Sequence, residues 1–284
     1  MRVNSVYRHI IGLGAVALIL AVGTARAQSF IYGDSAGNGL YKIDTSTGAV
    51  VAECSQSKGN GRGMVVVGSV VYYTVTNSGN VYKTNFTTCS DDGIAFAVPG
   101  ATSLSTIAYD GTNFWIGDYA GSNHAFYVSP TGTLLNTISL ANCAGSCDGL
   151  EFFSGKLISN RGDAATGGYD VYSTTGTLLT ADFIAPTSYA GTGIAFDGTN
   201  FYVSDIFNQK LQVYSGTTGA FIKTITITGM TLSNEIEDLS ADYSVTLGPP
   251  TAAATVPTMT EWGVLLMSML VAVSGIFALR RRRH

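Results

Sequence analysis

Hydrophobic and polar positions alternate in short runs through residues 193–225, GIAFDGTNFYVSDIFNQKLQVYSGTTGAFIKTI, each too short for a helix. Gly193–Phe196 ends at Asp197-Gly198, a pair that favours a tight turn between strands. Asn200–Asp205 follows, rich in the aromatic and β-branched residues that suit a pleated, half-buried surface. Lys210–Tyr214 sets Leu211 and Val213 on one face and Gln212 on the other. Gly216–Gly219 then turns the chain into Ala220–Ile225. The pattern predicts a four-stranded antiparallel sheet that cannot bury both faces alone.

Copies of that sheet recur along the chain. The first strands align as Met64–Gly68, Ile107–Gly111, Leu150–Ser154 and Ile194–Gly198, with starts 43, 43 and 44 residues apart. Second strands follow at Val70–Thr74, Asn113–Asp118, Lys156–Asn160 and Asn200–Asp205, and outer pairs include Ala125–Val128 with Leu134–Ile138. A period near 43 with four strands per period is the mark of propeller blades. The first copy lacks its inner strand: Phe30–Asp34, Gly39–Ile43 and Ala49–Glu53 match only the second, third and fourth strands. At the far end Asp238–Asp242 aligns with Gly193–Asp197, and no complete blade follows. The expected fold is therefore all-β, a five-bladed β-propeller over residues 28–248 closed by pairing of its N- and C-terminal strands. The stretch YVSDIFNQKLQVY resembles the strand–Asp–loop–strand core of NHL-type bacterial surface propellers. That resemblance speaks to fold, since one fold carries many activities.

The two ends change the picture. Arg2 and Arg8 precede an apolar run, Ile10–Val22, which ends at Ala25-Arg26-Ala27; this predicts a signal peptide over residues 1–27. Residues 249–255 read as a Pro/Ala/Thr linker. From Trp262 to Leu279 there is no charge, and Arg280–Arg283 follow. Eighteen uncharged residues suffice for one transmembrane helix (262–279), with the arginines on the cytoplasmic side. Val256-Pro257-Thr258-Met259, then Trp262-Gly263, the hydrophobic stretch and the Arg cluster resemble the IPTL-CTERM sorting signal of Gram-negative bacteria, with Val256 in place of Ile and Met259 in place of Leu. Across residues 256–284 the resemblance implies an exosortase-type membrane protease as partner, removal of the tail, and delivery to the cell surface or extracellular matrix.

Residues 28–255 carry 8 Lys and Arg against 18 Asp and Glu. Without a basic stripe, nucleic-acid binding is disfavoured; cations, polar surfaces and neutral sugars suit the charge better. All four cysteines lie in this region, and export favours disulfides. Cys143 and Cys147 suit a short loop, which leaves Cys54 with Cys89. That pairing is strained: a flat strand diagram sets the two near opposite ends of neighbouring outer strands, whereas a disulfide needs Cα atoms within about 7 Å. Their spacing does not suit zinc.

Candidate chemistry gathers where the repeat register points. The positions two before each first strand are Arg62, Ser105, Asp148, Thr192 and Glu237, which should ring one mouth of the central channel. Loops on that face bring Asp34, Asp118, His124, Arg161, Asp163, Asp205 and Asn208. Asp148, Glu237 and the loop aspartates offer oxygen ligands for calcium, or paired carboxylates for glycoside hydrolysis. Against this, Asp34, Asp118 and Asp205 recur at one blade position and suit turn caps, as do Asp110 and Asp197. Glu151 stands in an inner strand where other copies have Ala or Val; it is the single most suspicious carboxylate, although Arg62 or Lys156 could pair with it. His124, the one histidine between the two ends, reads as an exposed loop residue and leaves a Ser-His-Asp triad or a histidine metal site at most one candidate base or ligand. Tyr119 and Tyr189 could stack on sugars, while Trp115 reads as core. The preferred reading is an exported, non-enzymatic binding or scaffold module. A secreted glycosidase-like or lactonase-like hydrolase at the mouth is the alternative, and a purely structural matrix protein the third.

Overall fold

The computed structural model describes residues 28–245 except 60, 144–146, 163–167 and 187. The expected signal peptide, linker, transmembrane helix and sorting motif, and Asp163, lie outside the described residues. Among those described, all regular structure is β-strand, and no helix is long and apolar enough to cross a membrane.

Twenty strands form five four-stranded antiparallel sheets. The first contains β1 (Phe30–Asp34), β2 (Gly39–Asp44) and β3 (Val50–Ser55). The second runs β4 (Gly61–Val67), β5 (Val70–Val75), β6 (Asn80–Asn85), β7 (Ser90–Ala97), and the third β8 (Leu104–Tyr109), β9 (Phe114–Asp118), β10 (His124–Val128), β11 (Leu134–Ser139). The fourth is β12 (Leu150–Phe153), β13 (Lys156–Asn160), β14 (Tyr169–Ser173), β15 (Leu178–Ile184). The fifth is β16 (Gly191–Phe196), β17 (Asn200–Asp205), β18 (Lys210–Ser215), β19 (Phe221–Thr226). This is the five-bladed propeller that the 43-residue period predicts. A short β20 (Leu239–Ser240) lies against β1, with Tyr32 opposite Ser240 and Gly33 opposite Leu239.

The core is not central. It is divided into five seams, one between each pair of neighbouring blades. Ile31, Tyr41 and Ile43 pack on Leu211, Val213 and Ile225; Val65 and Val81 pack on Leu104, Phe114 and Ile116. Trp115 and Ala125 meet Leu150 and Leu157, Ile158 and Val171 meet Ile194 and Val203, and Tyr32 and Leu40 meet Met64 and Val71. Each sheet thus buries both faces against neighbours, which is why one copy could not stand alone. The outer strands stay open to solvent along much of their length.

Around the axis the inner strands approach closely. A Cβ on Gly149 would lie 1.9 Å from the Thr192 carbonyl oxygen, and one on Gly193 would lie 2.4 Å from the Asp238 Cα. Side chains then satisfy the exposed strand edges. Met64 N donates to Asp238 Oδ2 (3.1 Å), Val66 N to Ser240 Oγ (2.9 Å) and Gly68 N to Asp242 Oδ1 (2.9 Å). Alternate residues of the C-terminal segment therefore cap alternate amides along β4 and the turn that follows it, as the period of two in extended chain requires.

Strand direction defines two faces. Inner strands begin at an upper face, where the loops after β1, β5, β9, β13 and β17 also lie. The turns after β4 and before each outer strand form the lower face, and residues 242–245 leave there, with Asp242 bridged to Val66.

The structure corrects three readings. Arg62, Ser105 and Thr192 do not precede their strands; β4, β8 and β16 begin earlier, and each shifts register there, between Gly61 and Gly63, Leu104 and Ile107, and Gly191 and Ile194. Cys54 and Cys89 do pair, with Cα atoms 5.3 Å apart, as do Cys143 and Cys147, also at 5.3 Å. The right-handed twist accumulated over four strands swings an outer strand across its neighbour, which a flat diagram cannot register. His124 opens β10, half-buried with its ring 6.4 Å from that of Phe126, and is not a loop residue.

Candidate functional site

The upper mouth of the channel is built from bulges. An extra residue in an inner strand re-aims the side chain beside it. Arg62, the extra residue of β4, is turned toward Glu237 and Asp148, which lie just before β20 and β12. Its Nη1 donates to Glu237 Oε2 at 3.0 Å and lies 4.0 Å from Asp148 Oδ2. Its guanidinium carbon stands 5.2 Å from the centre of the Tyr119 ring, an attractive cation–π placement. Three of the five mouth positions thus form one charged cluster. The other two serve packing between blades: Ser105 Oγ donates to the Cys147 carbonyl (2.6 Å) and Thr192 Oγ1 to the Glu237 carbonyl (2.7 Å).

Burial dominates the electrostatics of this mouth. It pushes the Asp148 carboxyl up to about 7, with Arg62 opposing and Glu237 adding to the rise. Burial likewise raises Glu237, and again Arg62 opposes it. Behind them Asp34 is fully buried, accepts the Asp238 amide on Oδ1 (2.9 Å), and is raised by burial to about 8. Asp238, also fully buried, is raised well above its ordinary value by burial and then by Asp34. Among the described residues Asp34 Oδ2, Gln56 Oε1, Arg62 Nε, Asp148 Oδ1 and Asp238 Oδ1 have no hydrogen-bond partner. A polar, acceptor-rich mouth with one cation is suited to a ligand bearing hydrogen-bond donors. Among the described residues no three His, Cys, Asp or Glu side chains gather to hold a metal ion.

Glu151 is elsewhere. It is buried in β12, and its Oε1 accepts the Phe152 amide (2.7 Å) and the Tyr243 hydroxyl, while Oε2 accepts the Phe196 amide (3.2 Å). It therefore pairs with neither Arg62 nor Lys156. Burial lifts it to about 8, with these three donors opposing. The carboxyl joins three parts of the inner ring, β12, β16 and the C-terminal segment, and its environment is that of a structural bridge.

The loop aspartates divide. Asp118 caps the Ala120 amide (2.8 Å) and the Ser122 hydroxyl of its own loop, and Asp205 accepts from Asn208 Nδ2 at 2.8 Å. Asp110 and Asp197 each cap two amides of their turns. Only Asp34 of the recurring set joins the mouth. Arg161 forms a two-point contact with Asp170 (3.0 and 2.9 Å) and a bridge to Asp182 (2.7 Å), away from the mouth. Trp115 stacks on Tyr127 at 4.3 Å, buried as core, and Tyr189 shares a hydrogen bond of 2.6 Å with the Tyr214 hydroxyl.

Sequence reasoning missed Asp238, Gln56 and Tyr243. Asp238 was open to detection: the aligned positions of the other copies hold Gly63, Thr106, Gly149 and Gly193, so a carboxylate there breaks the repeat. Gln56 and Tyr243 lie outside the repeat strands and carried no signal. A groove of about 430 Å³, lined by Gln28, Phe30, Tyr32, Lys42, Asp242 and Val245, lies on the lower face, opposite the mouth.

Beyond the described residues, the family model for the IPTL-CTERM motif matches residues 254–283. The chain carries an IPTL-CTERM motif. The motif implies export and processing by an exosortase-type system. No curated protein matches the chain. Among solved structures, a nidogen/laminin complex is similar at 12% identity and a TM-score of 0.50, over 74% of this chain and 97% of that one. Glutaminyl cyclase of Myxococcus xanthus is similar at 14% identity and TM-score 0.47, over 59% and 70%. The WD40 β-propeller domain of Doa1 is similar at 18% identity and TM-score 0.37, over 62% and 56%. At such identities the likeness concerns fold alone.

Proposed function

We propose that this protein is an exported propeller, delivered to the cell surface or extracellular matrix through its C-terminal motif, where it acts as a binding or scaffold module. The observation that carries the reading is the IPTL-CTERM motif at residues 254–283 C-terminal to a propeller. In this reading residues 1–27 are the signal peptide, 28–248 the propeller, 249–255 a linker, and 256–284 the sorting tail with a transmembrane helix at 262–279. The paired residues of β20, with the side-chain ladder onto β4, support closure of the ring by the C-terminal segment. The binding surface is the upper mouth, with Arg62 and Asp148 partly exposed, Glu237 buried beside them and Asp34 behind. Deleting residues 256–284 should leave the propeller folded and absent from the surface of intact cells, judged by accessibility to added protease. Undiminished surface exposure would contradict the proposal.

One observation favours the hydrolase reading: Asp148, raised to about 7 beside Glu237, has the protonation behaviour of a general acid. Arg62 occupies the space between the two carboxylates, and this argues for binding. A panel of polysaccharide and lactone substrates decides. Turnover abolished by Asp148→Asn and Glu237→Gln would favour the enzyme, and no turnover by the native chain would remove it.

A further inference from the structure

Every outer strand carries a β-bulge at the same place, beside the turn that precedes it. The extra residue is Val51 in β3, Leu135 in β11, Leu179 in β15 and Ile222 in β19. In β7 the irregularity spans Asp92 and Gly93, and Ile94 follows. A bulge on an edge strand blunts edge-to-edge pairing, but that role needs no apolar side chain. These five side chains are nevertheless aliphatic and about half exposed, at 53%, 49%, 48%, 50% and 56% in the order named. Scattered exposed aliphatics are ordinary. Four of them share one blade position and Ile94 lies two residues further along its strand, beyond Asp92, so every blade contributes one to a belt around the rim.

The belt lies at the starts of the outer strands, hence at the rim of the lower face. The chain leaves that same face at residues 242–245, and sixteen residues, 246–261, separate it from the uncharged run Trp262–Leu279. We propose that the belt seats the propeller, lower face down, on the surface of a lipid bilayer. Five contacts spread around a circumference are met at once by a planar apolar phase, whereas one globular partner would reach only a few. A tether of sixteen residues spans about 55 Å at most, which holds the face near the bilayer at high effective concentration, so weak contacts suffice. The lower-face turns carry Asp44, Asp91, Asp92 and Asp110, which favours zwitterionic over anionic lipid. The inference rests on the transmembrane helix proposed above and concerns the anchored chain before its tail is removed.

The test uses the full chain in phosphatidylcholine vesicles whose acyl chains are brominated, with tryptophan fluorescence as the readout. Leu135→Trp places a probe in the belt. Phe207→Trp places one on the upper face, where Phe207 is 67% exposed. Native Trp262 reports whether the tail has inserted, since buried Trp115 belongs to a core seam. The proposal expects Leu135→Trp to be quenched and blue-shifted, and Phe207→Trp to be neither. Serine at Val51, Leu179 and Ile222 in the same chain should return the Leu135→Trp signal to the Phe207→Trp level. Quenched Trp262 with an unquenched Leu135→Trp would overturn the docking and leave the anchoring intact. Neither quenched would overturn both. A blue shift of Leu135→Trp without quenching, growing with protein density, would assign the belt to contact between copies and also overturn the proposal.

Discussion

Glu151 illustrates what one residue can mean before and after its surroundings are known. In sequence it is an unexplained carboxylate in an inner strand; in the fold it accepts from two amides and a tyrosine hydroxyl in the ring. Above pH 8, where the Glu151 carboxyl is ionised, glutamine at 151 keeps the shape but turns one acceptor into a donor facing an N–H. Glu151→Gln should therefore cost about 1–3 kcal/mol in a denaturant titration at pH 9, and no change in stability there would argue against the bridge. Several buried carboxyls also set the pH dependence. Asp34 and Glu151 are raised to about 8 and Asp148 to about 7, while the same groups titrate near 4 in the unfolded chain. Between those values the folded state holds more protons, so raising the pH favours unfolding. The melting temperature should be higher at pH 5.5 than at pH 8.5; a flat or rising profile over that interval would contradict the burial described. The mouth residues were legible because the repeat register points at them, whereas Asp238 stands at a position where the copies already vary between Gly and Thr, so its departure is less marked than that of Glu151.

At the scale of elements, existence and order of the strands followed from alternation and period, and their irregularities did not. Arg62, Ser105 and Thr192 sit in register shifts that carry no sequence mark beyond a nearby glycine or small residue, so they read as positions before strands. The same blindness affected Cys54 and Cys89: counting made them partners, and a flat sheet separated them. Their disulfide ties β3 of the first blade to the turn before β7 of the second across a separation of 35 residues. Replacing both with serine should lower stability by about 3 kcal/mol through the freer unfolded chain, measured by urea unfolding under oxidising conditions. A loss below about 1 kcal/mol would mean that the seam between these blades holds without the staple.

At the scale of the whole molecule, five sheets share five seams, so each blade leans on its neighbours. The period made the five blades legible, and closure of the ring by the C-terminal segment is part of the proposal above. The ladder of Asp238, Ser240 and Asp242 onto β4 was not legible, because it depends on which side chains face the axis. The upper mouth exists only while Glu237 is held beside Arg62 by this segment, so the fold, the mouth and the proposed function share one dependency. Amide hydrogen exchange at Met64, Val66 and Gly68 tests it most directly. These amides should be strongly protected in the full chain and equally so without residues 256–284. Protection should fall by orders of magnitude when Asp238, Ser240 and Asp242 are all alanine. Protection that survives the triple substitution would contradict the account.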